Sequence, residues 1–377
     1  MNRFLILYIL AMGEVCIAQN IKQADSLLTL GNYSKAIAIY ESAEHPNLHY
    51  DKIAKAYFAL GNYGAALSYY QKLVEAKPED ALNRFNYAKL LFQTKNYQLS
   101  SKHFQQLIAK DSTNPNYHYQ LGLVLEATKD SMAFKSFHKA YQLDETHQKA
   151  IYKIARQLLK TRQFSQAHQY IDKGLEAYVN NIKLIGLKAQ CFYYQENYKQ
   201  AQEWFLKLLD LGETSEFIYE KLSLCYANNS YFKEAIEYRK KALEYNPKDA
   251  NALFVVGVYY NYLQDYENAQ KYMEQALELK DKPLDAEYRQ LSSVYNQLKK
   301  YDKSIEALKK AIKDAPDNLS LHFFLLSAKD RYYADIDTKI RLYENFIKRF
   351  PNEKVFLHLA NRRLKELKET KFLSESD

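Results

Sequence analysis

The amino-acid sequence predicts an all-α chain built from a repeated helix–turn–helix unit, and three observations predict it. The 377 residues hold only 9 Gly and 7 Pro against 35 Tyr, with abundant Lys, Leu, Ala, Gln and Glu. Few breakers and many helix formers favour helices, and so little Gly and Pro leaves few tight turns for a β-rich fold. A small residue recurs at Ala36, Ala66, Ser100, Ala133, Ala167, Ala201, Ala235, Ala269 and Ser304, and from Ala133 to Ala269 every step is 34. An aromatic marks the turn three residues before most of these, at Tyr33, Tyr63, Tyr97, Phe164, Tyr198, Phe232, Tyr266 and Tyr301.

The unit's second helix carries the small residue, a large apolar residue four later, and a small or apolar pair beyond it. Together they form one apolar stripe. The first helix carries a matching stripe, Tyr50, Ile53, Ala54 and Tyr57 in one unit and Leu253, Val256, Gly257 and Tyr260 in another. Small residues at Ala54, Gly122, Ala155, Ala189 and Gly257 let the two helices approach closely. Pro46, Pro78, Pro247, Pro316 and Pro351 fall where each second helix should stop, because proline cannot continue a helix. Neither helix can bury its stripe alone, so the units stack and share a core.

Three units depart from the pattern. The one around Lys129 to Ser131 lacks the turn aromatic and is one residue short, the first is shortened, and the last has Lys339 where alanine is expected. Residues 353–371 form one more amphipathic helix, with Phe356, Leu357, Ala360, Leu364 and Leu367 on one face. Arg362, Lys365, Glu366 and Lys368 lie on the other face, as a terminal cap requires. Residues 372–377 are expected to form a flexible tail.

A period of 34 with helical spacing on both sides of a turn resembles the tetratricopeptide repeat. The resemblance covers residues 19–352. It implies a right-handed superhelical solenoid of about ten units, closed by the terminal helix, with the first helices lining a concave groove. It also implies a non-catalytic interaction scaffold.

The first residues follow another logic. Arg3 is followed by a nine-residue apolar run over residues 4–12, well short of the ~20 residues that span a bilayer. Cys16 and Ala18 then stand third and first before a cut ahead of Gln19. Residues 1–18 are therefore expected to be a secretory signal peptide, and the mature protein to be periplasmic or extracellular. Glu14 stands where a lipid-anchored Cys16 would need a small apolar neighbour.

The repeats leave no room for a catalytic domain, and no phosphate loop, nucleophile elbow or HExxH motif occurs. No enzyme, cofactor or metal is expected. His45 and His49 are separated by Pro46, which breaks the helical spacing a metal pair would need. Cys191 and Cys225 lie 34 apart, at equivalent positions in neighbouring first helices. Packed helix axes about 8–10 Å apart do not suit a disulfide, so both read as small core residues. A net charge of +8 spread over the chain is weak for a dedicated nucleic-acid binder, and no nucleic-acid partner or transmembrane anchor is expected.

By the resemblance, groove-facing positions lie one step round each first helix from the core stripe. They map to Asp51, Lys55 and Phe58; Phe85, Lys89 and Phe92; Tyr119 and Glu126; and Tyr152, Arg156 and Lys160. Later units give Gln190, Tyr193 and Tyr194; Glu220; Phe254, Asn261 and Tyr262; and Arg289 and Asn296. Aromatic and arginine side chains are what binding hot spots use. The expected partner is another protein, through an acidic or partly apolar segment, in an envelope assembly. These aromatics can equally pack sideways between helices. The Lys and Asn clamp of chaperone-binding family members is absent, since the first full unit has Asp51 and Lys55. Two other uses are weighed: glycan or peptidoglycan binding on the groove aromatics, and RNA binding as in pentatricopeptide repeats. The leader and the Tyr-and-Ala signature oppose the second.

Overall fold

The computed structural model describes residues 19–376 apart from 281, 283 and 353. The expected signal peptide lies outside the described residues. Every regular element among the described residues is helical. By internal packing the chain divides into two compact units, residues 1–187 and 188–377, the division falling inside one helix.

In the first unit, α1 (residues 19–29) pairs with α2 (Tyr33–Glu41). After a 3-10 turn at Pro46–His49 come α3 (Tyr50–Ala59) with α4 (Tyr63–Ala76), and α5 (Ala81–Gln93) with α6 (Tyr97–Lys110). Then α7 (Pro115–Ala127) pairs with α8 (Met132–Leu143), and α9 (Gln148–Lys160) with α10 (Phe164–Ala177). Helix α11 (Ile182–Tyr194) spans the division and is followed by α12 (Tyr198–Asp210). The second unit continues with α13 (Glu216–Asn228) and α14 (Phe232–Leu243), α15 (Ala250–Tyr262) and α16 (Tyr266–Leu279), and α17 (Asp285–Gln297) and α18 (Tyr301–Asp314). It closes with α19 (Leu319–Tyr332), α20 (Ile336–Arg349) and α21 (Lys354–Ser376). Ten pairs and a terminal helix match the repeat reading. Pro78, Pro247, Pro316 and Pro351 follow the ends of second helices as expected.

One turn geometry joins the helices of the first nine pairs. Each first helix ends on a left-handed residue: Gly31, Gly61, Lys95, Lys129, Arg162, Glu196, Ser230, Gln264 and Lys299, with φ between 57° and 80°. The Lys95 N–H donates to the Phe92 carbonyl at 3.0 Å and the Asn96 N–H to the Leu91 carbonyl at 2.8 Å. This double closure, a Schellman motif, satisfies carbonyls that a helix end otherwise leaves orphaned. It recurs at all nine turns, although only two of them have glycine at a position where a side chain costs conformational energy.

The small residues sit where the paired helices cross. A Cβ on Gly257 of α15 would lie 2.6 Å from Met273 Cγ and 3.1 Å from the Ala269 carbonyl of α16. Two crossings carry mirrored hydrogen bonds: Ser100 Oγ of α6 donates to the Ala88 carbonyl of α5, and Ser223 Oγ of α13 to the Ala235 carbonyl of α14, both at 2.8 Å. A serine here satisfies its hydroxyl on the partner backbone and packs as closely as alanine.

The tenth pair is built differently. Lys339 stands where the small residue belongs, and its Nζ lies 3.5 Å from Asp330 Oδ1. Asp330 also accepts from the Tyr343 hydroxyl at 3.0 Å and from Arg363 Nε of α21 at 2.9 Å. An ionic cluster thus replaces the close helix crossing. Apolar Leu326, Tyr343, Phe346, Ala360 and Leu367 surround it, so α21 covers the last pair as a cap should. The cap helix reaches Ser376 rather than stopping at residue 371, so residues 372–376 are helical where a flexible tail was expected. No Gly or Pro interrupts them, and Lys371 Nζ is held 2.6 Å from Asp337 Oδ1 of α20.

Candidate binding surface

The first helices of the first unit carry the predicted surface residues. On α3, Lys55 pairs with Asp51 one turn earlier at 3.4 Å, and Phe58 is 41% exposed, with its ring 5.6 Å from that of Tyr63. On α5, half-buried Phe85 meets Phe104 of α6 at 5.9 Å and Tyr117 of α7 at 5.7 Å. Lys89 is exposed and places its ammonium 5.6 Å from the Phe85 ring centre, while half-buried Phe92 leans on Tyr97 at 5.8 Å. On α9, Arg156 and Lys160 are exposed, and Lys183 covers half-buried Tyr152 at 5.8 Å. Glu126 of α7 is bound to Lys153 of α9.

The structure therefore brings four exposed cations onto the first-helix face, Lys55, Lys89, Arg156 and Lys160. The aromatics beside them are rooted in helix packing, within the pair for Phe58 and Phe92 and also against the next pair for Phe85 and Tyr152. Phe85 and Phe92 are each partly buried and partly open, so each can serve both packing and contact.

Two expected surface residues are not at the surface. Tyr119 is 9% exposed, wedged against Phe137 at 5.8 Å and His147 at 5.2 Å, and burial raises its hydroxyl pKa. Phe254 is likewise buried in the core of the second unit. Tyr119 thus fills the space between its own partner helix α8 and the start of α9, and Phe254 is part of the second unit's core.

In the second unit, half-buried Tyr193 meets Tyr194 at 5.4 Å and Tyr198 at 5.9 Å, with Lys221 Nζ 4.8 Å from its ring centre. Tyr194 and Tyr262 are the open aromatics, 45% and 63% exposed, and Tyr262 stacks flat on Phe232 at 4.7 Å. Gln190, Glu220, Asn261 and Asn296 are half-buried, and Arg289 is exposed. Cys191 and Cys225 are free and fully buried, and burial pushes both thiols up to about 12, leaving them unreactive near neutral pH. Among the described residues no group of three or more His, Cys, Asp or Glu could hold a metal ion, and no helix is long and apolar enough to cross a membrane. One residue that the sequence reading passed over is Arg239. It occupies the large apolar position of α14, and its charge at a core register was the available signal.

Helix pairs stacked with a constant turn and a constant small-residue crossing define a helical-repeat protein. Sequence models of the tetratricopeptide repeat match residues 52–115, 218–249, 250–283 and 288–318. The fold resembles the C-terminal part of a tetratricopeptide repeat-containing protein from Cytophaga hutchinsonii, at 19% identity and a TM-score of 0.51, covering 64% of this chain and 99% of that one. Human DnaJ homolog subfamily C member 7 is 24% identical over 210 residues, 52% of this chain and 42% of the relative. The general transcriptional corepressor trfA of Dictyostelium discoideum is 26% identical over 120 residues, 29% of this chain and 9% of the relative. The matches thus span less than half the length of these curated relatives. Proteins built of such repeats act as protein–protein interaction scaffolds.

Proposed function

We propose that this chain is an exported, non-catalytic scaffold that holds an acidic, partly apolar segment of another protein on its first-helix face. The observation that carries the reading is the placement of Lys55, Lys89, Arg156 and Lys160 beside half-buried Phe85, Phe92 and Tyr152 and the more exposed Phe58 on three of the first helices, α3, α5 and α9. Exposed cations draw an acidic segment in and orient it, and fixed aromatic rings hold it once it arrives. Tyr193 and Tyr194 are an aromatic pair of the second unit's own, and Tyr119 takes no part. The charged start, short apolar run and small residues of residues 1–18 support export, which would make the partner a component of the cell envelope.

The test is recovery of a partner from envelope extract by the mature chain and by Lys89→Glu/Arg156→Glu, with thermal unfolding of both proteins. The reading expects an acidic-segment protein held by the parent and lost by the variant at unchanged melting temperature. Binding should also weaken as salt rises from low to physiological levels, mainly through slower association. Equal recovery by both proteins would remove the first-helix face from consideration.

A further inference from the structure

Four residues after the crossing position of each second helix stands a large apolar core residue, for example Phe205, Met273, Leu308 and Tyr343 in the second unit. In α14 the same register holds Arg239, which is only 7% exposed. Its Nε has no hydrogen-bond partner, and among the described residues no carboxylate oxygen lies within 4.0 Å of the guanidinium. The guanidinium thus has no ion-pair partner, and its buried Nε in particular calls for an acceptor.

Arg239 lines a cavity of about 340 Å³ between α13, the end of α14 and the start of α15. That volume is at the lower end of the range of small-molecule sites, about 300–1,000 Å³. Glu216, Glu220 and Leu224 follow one another at helical-turn spacing on one face of α13, and Leu243 and Val255 add apolar wall. Asp249, also on the wall, is already engaged as a helix cap, accepting from the N–H groups of Asn251 at 2.9 Å and Ala252 at 3.1 Å. Glu220 keeps only a long contact of 3.6 Å to its neighbour Lys221. A simple anion drawn to Arg239 would meet these carboxylates, and a simple cation would meet Arg239. A ligand with a carboxylate beside an ammonium satisfies both.

We propose that this cavity binds a free α-amino acid with an apolar side chain. Its carboxylate pairs with Arg239, its ammonium faces Glu216 and Glu220, and its side chain lies against Leu224, Leu243 and Val255. The site does not depend on the protein-binding face of the first unit.

Calorimetric titration of the full chain with L-leucine, 4-methylpentanoate (the carboxylate alone) and 3-methylbutylamine (the ammonium alone) tests it. Leucine should bind at least tenfold tighter than either fragment. Arg239→Met installs the residue found at this register in the following pair; it should keep or raise the melting temperature and weaken leucine at least tenfold. Glu220→Gln should weaken leucine while leaving 4-methylpentanoate unchanged, and it decides the matter alone if the arginine variant does not fold. Three results would overturn the proposal: no leucine binding at millimolar concentration, equal leucine affinity in Arg239→Met, or 4-methylpentanoate binding as tightly as leucine.

Discussion

Arg363 Nε donates to Asp330 Oδ2 at 2.9 Å, joining the terminal helix α21 to α19 across a mostly buried carboxylate. Burial alone would raise the Asp330 pKa, but hydrogen bonds from Arg363 and Tyr343 and the nearby charges outweigh it and hold the carboxyl below its ordinary value. Removing the carboxylate leaves Lys339 and Arg363 facing each other without their common partner. Asp330→Ala should therefore cost about 3 kcal/mol in urea unfolding, with the loss confined to α19–α21 in hydrogen exchange. Arg363→Ala should cost less, because that side chain is already 42% exposed. The depressed carboxyl stabilises the fold above the unfolded-state value of about 3.9, and that contribution is lost as pH falls through the lower folded value.

Histidines set a second acid response at milder pH. Burial lowers His103, His138 and His147, with Arg84 adding to the effect at His103. The unfolded chain takes up these protons near its ordinary value of about 6.5, before the folded chain does, so the unfolded state gains as pH falls through that range. The melting temperature should drop steadily from about pH 7.5 to about pH 5.5. His147 Nδ1 caps α9 by accepting from the Ala150 N–H at 3.1 Å, a bond that a protonated ring cannot make. His147→Asn keeps a capping oxygen and should flatten part of that slope.

The left-handed turn residues offer a gain in stability. Gln264 and Lys129 hold φ of 61° and 59°, where an L side chain is disfavoured and glycine is not. Gln264→Gly or Lys129→Gly should stabilise the chain by roughly 0.5–1 kcal/mol in denaturant titration. Gly61→Ala, at φ 75°, should shift the midpoint the other way.

Glycines within helices divide by surroundings. A Cβ at Gly257 meets the inner part of the Met273 side chain and two backbone atoms, so Gly257→Ala should destabilise by about 1–3 kcal/mol through overpacking. Gly64, exposed in α4, has only Asn62 Oδ1 near at 3.9 Å, and Gly64→Ala should stabilise by about 0.5–1 kcal/mol. Equal shifts of the two melting curves would contradict the crossing geometry.

The helix pairs were legible in the sequence because burial must repeat with the unit. Small residues such as Ala235 and Gly257 mark crossings, and prolines such as Pro78 and Pro247 follow helix ends. The nine-fold turn geometry was hidden, since seven of its residues lack glycine's signature and are held by backbone hydrogen bonds rather than by residue type. Tyr119 was placed on the surface because a position between core and face is decided by its neighbours, here Phe137 and His147. Arg239 escaped notice because the aromatic and small landmarks around it, Phe232 and Ala235, are intact. The end of α21 was set too early because an amphipathic stripe can fade before its helix does.

A turn whose shape is enforced by its own backbone is free in the chemistry it displays. The left-handed residues Lys95, Lys129 and Arg162 of the first unit are all exposed, each at the same place on its pair, and all three are cationic. Their counterparts Glu196, Ser230, Gln264 and Lys299 in the second unit are exposed as well, and of these only Lys299 is. Within each unit these turns are thus a row of evenly indexed sites on a fixed frame, uniformly cationic at Lys95, Lys129 and Arg162 and mixed in the second unit. Single substitutions can rewrite that row one site at a time while the stacking of the helices beneath it is left untouched.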